Sequence, residues 1–186
     1  MSTADAHDAN RRDFLYIATG AVGAVGAASV AIPLIDQMNP SADVLALASI
    51  EVNLEPIAEG QSITVTWRGN PVIIRHRTAK EIEEAKATPV SDLPDGLARN
   101  ANLAENAPAT DENRVVDGKE QYLVQMGVCT HLGCVPIGNE GDYDGWFCPC
   151  HGSHYDSAGR IRKGPAPENL HVPQYTYVSD TQIKIG

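Results

Sequence analysis

The sequence has 186 residues, room for one domain with an appendage. Its formal charge is −10, with acid spread along the chain and no basic stripe. That argues against nucleic acid as a partner and suits solubility or docking to a basic protein.

Residues 1–10 are polar and small, as expected of a disordered terminus. After Arg11-Arg12 the chain turns apolar, and residues 14–35 carry no charge over 22 positions. As a helix this run spans about 33 Å, enough to cross a bilayer core. Gly20, Gly23 and Gly26 would weaken a helix in water but permit close packing in a membrane. The arginines precede the run, and no Lys or Arg follows it until Arg68. The positive-inside rule therefore predicts a cytoplasmic N-terminus and an external remainder. Arg11 and Arg12 with Phe14-Leu15 also resemble a twin-arginine export signal, a route for folded, cofactor-loaded proteins. A cleaved signal peptide and a Sec-inserted anchor are the alternatives. The run is long for a signal core, and Ala46-Leu47-Ala48, the nearest small-x-small site, lies far from it. The sequence thus predicts a cytoplasmic N-terminus over 1–13, a retained transmembrane helix over 14–38 and a tether over 39–48, where Asn39-Pro40 ends the helix. Residues 49–186 form the outer domain.

That domain reads as mainly β. Ser62-Ile63-Thr64-Val65-Thr66-Trp67 alternates with period two, Arg68-Gly69-Asn70-Pro71 is the expected turn, and Val72-Ile73-Ile74-Arg75-His76 returns. His76, between two arginines, is expected on the surface. Thr78 and Glu81 have capping-box spacing, predicting a short helix to about Ala87. The whole of 78–113 reads as a surface insertion, irregular and partly helical beyond Thr88, with no legible function. A strand over 122–128 leads into the first of two boxes, Cys129-Thr130-His131-Leu132-Gly133-Cys134. The second is Cys148-Pro149-Cys150-His151-Gly152-Ser153-His154-Tyr155. Gly164-Pro165-Ala166-Pro167 follows as a stiff loop, then a hairpin with strands near 174–178 and 181–185.

The boxes hold all four cysteines and three of the six histidines. Each offers a thiolate and an imidazole, as Cys129-x-His131 and Cys148-x-x-His151. A tetrahedral zinc site is one reading. Zinc modules, however, pair cysteine with cysteine and histidine with histidine. The other reading is a two-iron cluster with both cysteines on one iron and both histidines on the other. Cys134 and Cys150 remain for a disulfide, which an oxidising compartment permits. Spacing alone leaves open whether Cys148 or Cys150 is the ligand.

The two boxes resemble those of Rieske iron–sulfur proteins. With the anchor, the Ala42-Asp43-Val44-Leu45-Ala46 tether and the Gly-Pro-Ala-Pro loop, the chain resembles the bacterial Rieske subunit of the quinol–cytochrome c reductase (cytochrome bc) complex. The resemblance implies a Rieske-type antiparallel β-sandwich head, with a cluster-binding subdomain near 124–170, on one N-terminal transmembrane helix. It implies one [2Fe-2S] cluster held by Cys129, His131, Cys148 and His151, a Cys134–Cys150 disulfide, and hydroxyls of Ser153 and Tyr155 that raise the cluster's potential. His151 would accept a hydrogen bond and a proton from quinol, while the second electron goes to a low-potential haem of cytochrome b. Implied partners are the cytochrome b and c-type cytochrome subunits, quinol and membrane lipid, in a dimeric multi-subunit complex. The expected location is the bacterial inner membrane, with the head in the periplasm. The rival is a Rieske subunit of another periplasmic oxidoreductase such as an arsenite oxidase. A Rieske oxygenase lacks room here, since only 35 residues follow His151. His154 and His171 match no ligand position.

Overall fold

The computed structural model describes residues 10–46, 48–116 and 118–186. The chain divides between Leu45 and Ala46 into an N-terminal unit and a head. The expectations for residues 1–9, and for Leu47 within the tether, lie outside the described residues.

Helix α1 (Arg11–Asp36) starts where Asn10 caps it. The Asn10 side chain accepts from the N–H groups of Arg12 and Asp13, and the Asp13 carboxylate accepts from the Asn10 N–H. This reciprocal cap draws Arg11 and Arg12 into the first turn, so the helix begins three residues before the expected span. None of its residues is buried, and Phe14, Tyr16, Val22 and Ile32 all stand exposed. A helix apolar on all sides suits lipid, and this one is long and apolar enough to cross a membrane. Within the expected tether, α2 (Ala42–Ala46) forms little more than one turn.

Ten strands follow among the described residues. In chain order they are β1 (Ile50–Asn53), β2 (Ser62–Trp67), β3 (Asn70–His76), β4 (Tyr122–Met126), β5 (Ile137–Glu140), β6 (Gly145–Cys148), β7 (Ser153–Tyr155), β8 (Ile161–Lys163), β9 (Tyr175–Ser179) and β10 (Gln182–Ile185). They make three antiparallel sheets, ordered β1-β10-β9, β2-β3-β4 and β5-β6-β7-β8. The head is thus mainly β, as expected. Two details differ. The β2–β3 turn is only Arg68-Gly69, both at positive φ, and Asn70 already pairs with Trp67; such a two-residue turn matches the twist of the strands it joins. His76 is half-buried, with its Nδ1 2.8 Å from the Ile57 carbonyl oxygen and its ring 4.5 Å from that of Tyr122.

The middle sheet carries the head, because both its faces are covered. On one face Val72, Ile74 and Val124 join Val52, Leu54, Ile183 and Ile185 in a core shared with the first sheet. On the other, Ile73 and Leu123 join Trp146, Tyr155, Ile161 and Leu170 beneath the boxes. That explains the sequence pattern: edge strand β2 alternates, while central β3 runs apolar through Val72-Ile73-Ile74.

The insertion is fastened by buried polar side chains. Helix α3 (Ala79–Ala87) is capped by Thr78, and its Glu81 also pairs with Arg75 at 2.5 Å. Arg77 reaches Asp111 at 2.5 Å and the Glu120 carbonyl, with both charged side chains fully buried. Arg160 binds Asp156 and the carbonyls of Ala85 and Ala109. Arg114 donates to the carbonyls of Ala98, Ala158 and Leu170. Burial with no carboxylate in contact pushes the Arg114 guanidinium down to about 10. Asp95 accepts from the Asn169 N–H at 2.9 Å and from Arg99, and Asn169 donates back to the carbonyls of Asp95 and Leu97. Residues 95–114 therefore hold the segment 158–170 that runs past the boxes.

Breaking a buried ion pair strands a charge, at a cost of about 3–5 kcal/mol. We expect Arg77→Met to destabilise the head by that amount in chemical denaturation, and Arg77→Met/Asp111→Leu to recover most of the loss. Burial pushes the Asp95 carboxyl up, but hydrogen bonds from Arg99, Asn169 and Leu97 outweigh it and hold it below 3.8. Its folded-state value being depressed, its contribution is full above 3.8 and is lost as pH falls through the folded value. Acid unfolding profiles of the wild type and Asp95→Asn should therefore diverge above 3.8 and converge in stronger acid.

Candidate metal centre

Both boxes are loops that leave the end of a strand. The first follows β4 and closes on itself: the Gly133 N–H donates to the Cys129 carbonyl at 2.9 Å, and the Cys129 N–H to the Cys134 carbonyl at 2.8 Å. The second starts at the last residue of β6, and the Gly152 N–H donates to the Cys148 carbonyl at 3.0 Å. Gly133 and Gly152 both adopt positive φ, which a β-carbon would oppose. The loops therefore share one form, a cysteine followed four residues later by a left-handed glycine. In that form Cys129 corresponds to Cys148, and Cys150 has no counterpart. Cys-x-x-x-Gly also runs from disulfide-bonded Cys134 to Gly138, so the pattern in the sequence does not by itself tell ligand from bridge; the loop form does.

A third loop seats the other two. A β-carbon on Gly164 would come within 2.5 Å of the Gly152 carbonyl oxygen and 2.6 Å of the Ser153 Cα, so the Gly-Pro-Ala-Pro loop lies directly on the second box. The Ala166 N–H donates to Ser153 Oγ at 3.2 Å. Thr130 Oγ1 donates to the Glu168 carbonyl at 2.7 Å and accepts from its N–H at 3.3 Å.

The structure joins Cys134 to Cys150 in a disulfide. Cys129 and Cys148 remain free thiols, each only 2% exposed. His131 and His151 come together edge to face, with ring centroids 4.6 Å apart. His151 is exposed, and Leu132, next in the chain to His131, is 72% exposed. Cys148 also lies with Cys134 and Cys150 inside a 4.8 Å cluster of sulfurs, but a disulfide offers no thiolate, so that trio is no ligand set. The other two histidines stay outside. His154 accepts from the Asp142 N–H at 3.1 Å, and His171 pairs with Glu168 at 2.9 Å.

The electrostatics favour a thiolate at the inner end. Burial pushes the Cys129 thiol up, but hydrogen bonds from the Tyr155 hydroxyl, the His131 N–H, Cys148 and Ser153 outweigh it and hold it below 9.0. At Cys148 burial wins, and the neighbouring Cys129 adds to it, so this thiol sits above 9.0. The Tyr155 hydroxyl lies 3.2 Å from Cys129 Sγ. Burial and that bond hold it well above the usual phenol range, so it stays a donor. Meanwhile Nδ1 of His131 is buried without a hydrogen-bond partner. Such an atom is costly to leave unpaired, and a metal satisfies it. Two buried sulfurs, two neighbouring imidazoles of which one is exposed, and hydroxyls bonded to sulfur fit a cluster with cysteine on one iron and histidine on the other.

Both boxes lie inside a known domain family. The family described as "Rieske [2Fe-2S] domain" matches residues 83–176. A second, "Ubiquitinol-cytochrome C reductase Fe-S subunit TAT signal", matches residues 1–41, which include Arg11 and Arg12. The ubiquinol–cytochrome c reductase iron–sulfur subunit of Bradyrhizobium diazoefficiens is 58% identical over the whole of both chains. That of Cereibacter sphaeroides is 55% identical, again over the whole of both. A chain solved in a hyperthermophilic respiratory Complex III shares the fold, with a TM-score of 0.52 and 24% identity over 90% of this chain and 98% of that one. The chain therefore belongs to the Rieske [2Fe-2S] subunits of ubiquinol–cytochrome c reductase.

Proposed function

We propose that the head is the external, electron-collecting arm of a membrane quinol–cytochrome c reductase. Cys129 and Cys148 would hold the inner iron of a [2Fe-2S] cluster, and His131 and His151 the outer iron. Bound there, the cluster supplies a one-electron acceptor whose neutral imidazole ligands raise its potential into the range of about −150 to +300 mV. The observation that carries this reading is the contrast in burial among the donors: both thiols are closed in, while His151 opens to solvent.

The chain's own groups have distinct tasks. His151, at the exposed tip, takes a hydrogen bond and then a proton from a quinol hydroxyl at its outer ring nitrogen. Exposed Leu132 and Val135 give that tip an apolar rim, suited to a quinol pocket on a cytochrome b subunit. Tyr155 and Ser153 withdraw electron density from sulfur through their hydroxyls. The disulfide ties the second box to the end of the first without using a ligand thiol. The helix α1, with Arg11 and Arg12 at its cytoplasmic end, anchors the subunit, and segment 39–48 tethers a periplasmic head able to move from cytochrome b to a c-type cytochrome. The assembly is a dimer of such multi-subunit units. The apolar helix and the family match over residues 1–41 favour this over the Rieske subunit of another periplasmic oxidoreductase such as an arsenite oxidase.

Purification from native membranes tests the assembly. We expect b- and c-type haem to come with the subunit and dithionite to elicit a Rieske-type EPR signal; a diamagnetic, colourless, zinc-loaded protein would overturn the reading. Removing one hydroxyl deletes one hydrogen bond to sulfur, worth about 1.4 kcal/mol at the upper end for neutral groups. In a one-electron couple that equals about 59 mV. Ser153→Ala and Tyr155→Phe should thus each lower the midpoint potential by roughly 60 mV in a redox titration, with the cluster retained.

A further inference from the structure

The ladder that begins the head starts at Ile50, which pairs with Ile185 of β10. Ala48 and Ser49 lie ahead of that ladder and would be free if strand pairing alone held them. They are held by two features at the far ends of other elements. Trp67, the last residue of β2, donates its indole Nε1–H to the Ala48 carbonyl at 2.9 Å, across 19 residues of sequence. Gly186, whose N–H donates to the Gln174 carbonyl, passes against the same turn of chain. A β-carbon at position 186 would collide with the Ala48 carbonyl oxygen, and it would stand 2.9 Å from Trp67 Nε1 and 3.2 Å from the Ser49 Cα.

The indole is itself fixed. Its ring packs on the core shared by the first two sheets, and the Arg68 guanidinium lies 4.6 Å over its other side. Any aromatic ring could fill that place by packing. Phenylalanine would fill it without a donor, whereas the indole N–H of tryptophan is spent on Ala48.

We propose that Trp67 is a positioning residue for electron delivery, fastening the chain at Ala48 and so fixing where the tether ends and the head begins. Without it, residues 48 and 49 join the tether, whose span grows from nine residues (39–47) to eleven (39–49). The local concentration of a tethered group falls as roughly the −3/2 power of tether length, here by about a quarter. This consequence rests on the moving head proposed above; the fastening itself does not.

Trp67→Phe keeps the ring and removes the donor. Gly186→Ala attacks the same contact from the other side and serves as a second lever if the first variant folds poorly. In the intact detergent-solubilised complex, we expect hydrogen exchange over residues 48–50 to quicken about five- to tenfold in both variants, the factor one lost hydrogen bond is worth. The midpoint potential and EPR line shape should stay those of the wild type, which separates fastening from damage to the head. Quinol-to-cytochrome turnover should fall by about a quarter. Unchanged exchange at 48–50 in a folded Trp67→Phe complex overturns the proposal, as does a shifted midpoint potential. Faster exchange with unchanged turnover upholds the fastening and overturns its role in electron delivery.

Discussion

The two boxes must meet at one point, yet the loops that carry them have few ladder bonds of their own. The contact that makes this possible is the approach of Gly164 to Gly152, so close that a β-carbon would stand 2.5 Å from a carbonyl oxygen. It lets a proline-stiffened loop lie on the second box and offer backbone groups to both hydroxyls that brace the site. Ser153 accepts from Ala166, and Thr130 exchanges two bonds with Glu168. The stiffness of Pro165 and Pro167 is useful only because glycine lets the loop come this near. Three loops then behave as one body, with both thiols buried and His151 exposed.

That body needs a floor and a wall. The floor is the middle sheet, whose β3 and β4 are covered on both faces. The wall is the insertion, which looked like surface ornament in sequence. Some of its charges do not face water: Asp95 and Asp111 are buried, as is Arg114 just after it. Each satisfies a partner outside the insertion or beside the boxes, which is how buried polar groups are tolerated at all. Part of the chain's acidity is thus internal and contributes to shape more than to surface field.

How much was legible follows from what each signal encodes. The boxes were legible because thiolate and imidazole have few other reasons to recur at that spacing. β2 was legible because an edge strand alternates, and α3 because Thr78 and Glu81 cap it reciprocally. β5, β7 and β8 were not, since they run three or four residues and one lies inside a box; their pairing is imposed by the loops. His76 was misread because its neighbours Arg75 and Arg77 looked like surface charge, whereas both are buried against Glu81 and Asp111. The division of Cys148 from Cys150 needed loop form, not ligand spacing.

Three sulfurs, those of Cys134, Cys148 and Cys150, lie within 4.8 Å of one another. In an oxidising compartment such a trio has a choice of pairings, because a free thiolate can attack a neighbouring disulfide and exchange places with its sulfur. Iron held by Cys148, as proposed above, would remove the competitor and leave a single pairing. Order of maturation then matters as much as geometry. A chain that meets oxidant after receiving its iron makes one bond, while a chain that meets it before can lock a ligand away. An export route that moves finished, loaded proteins suits a site built this way.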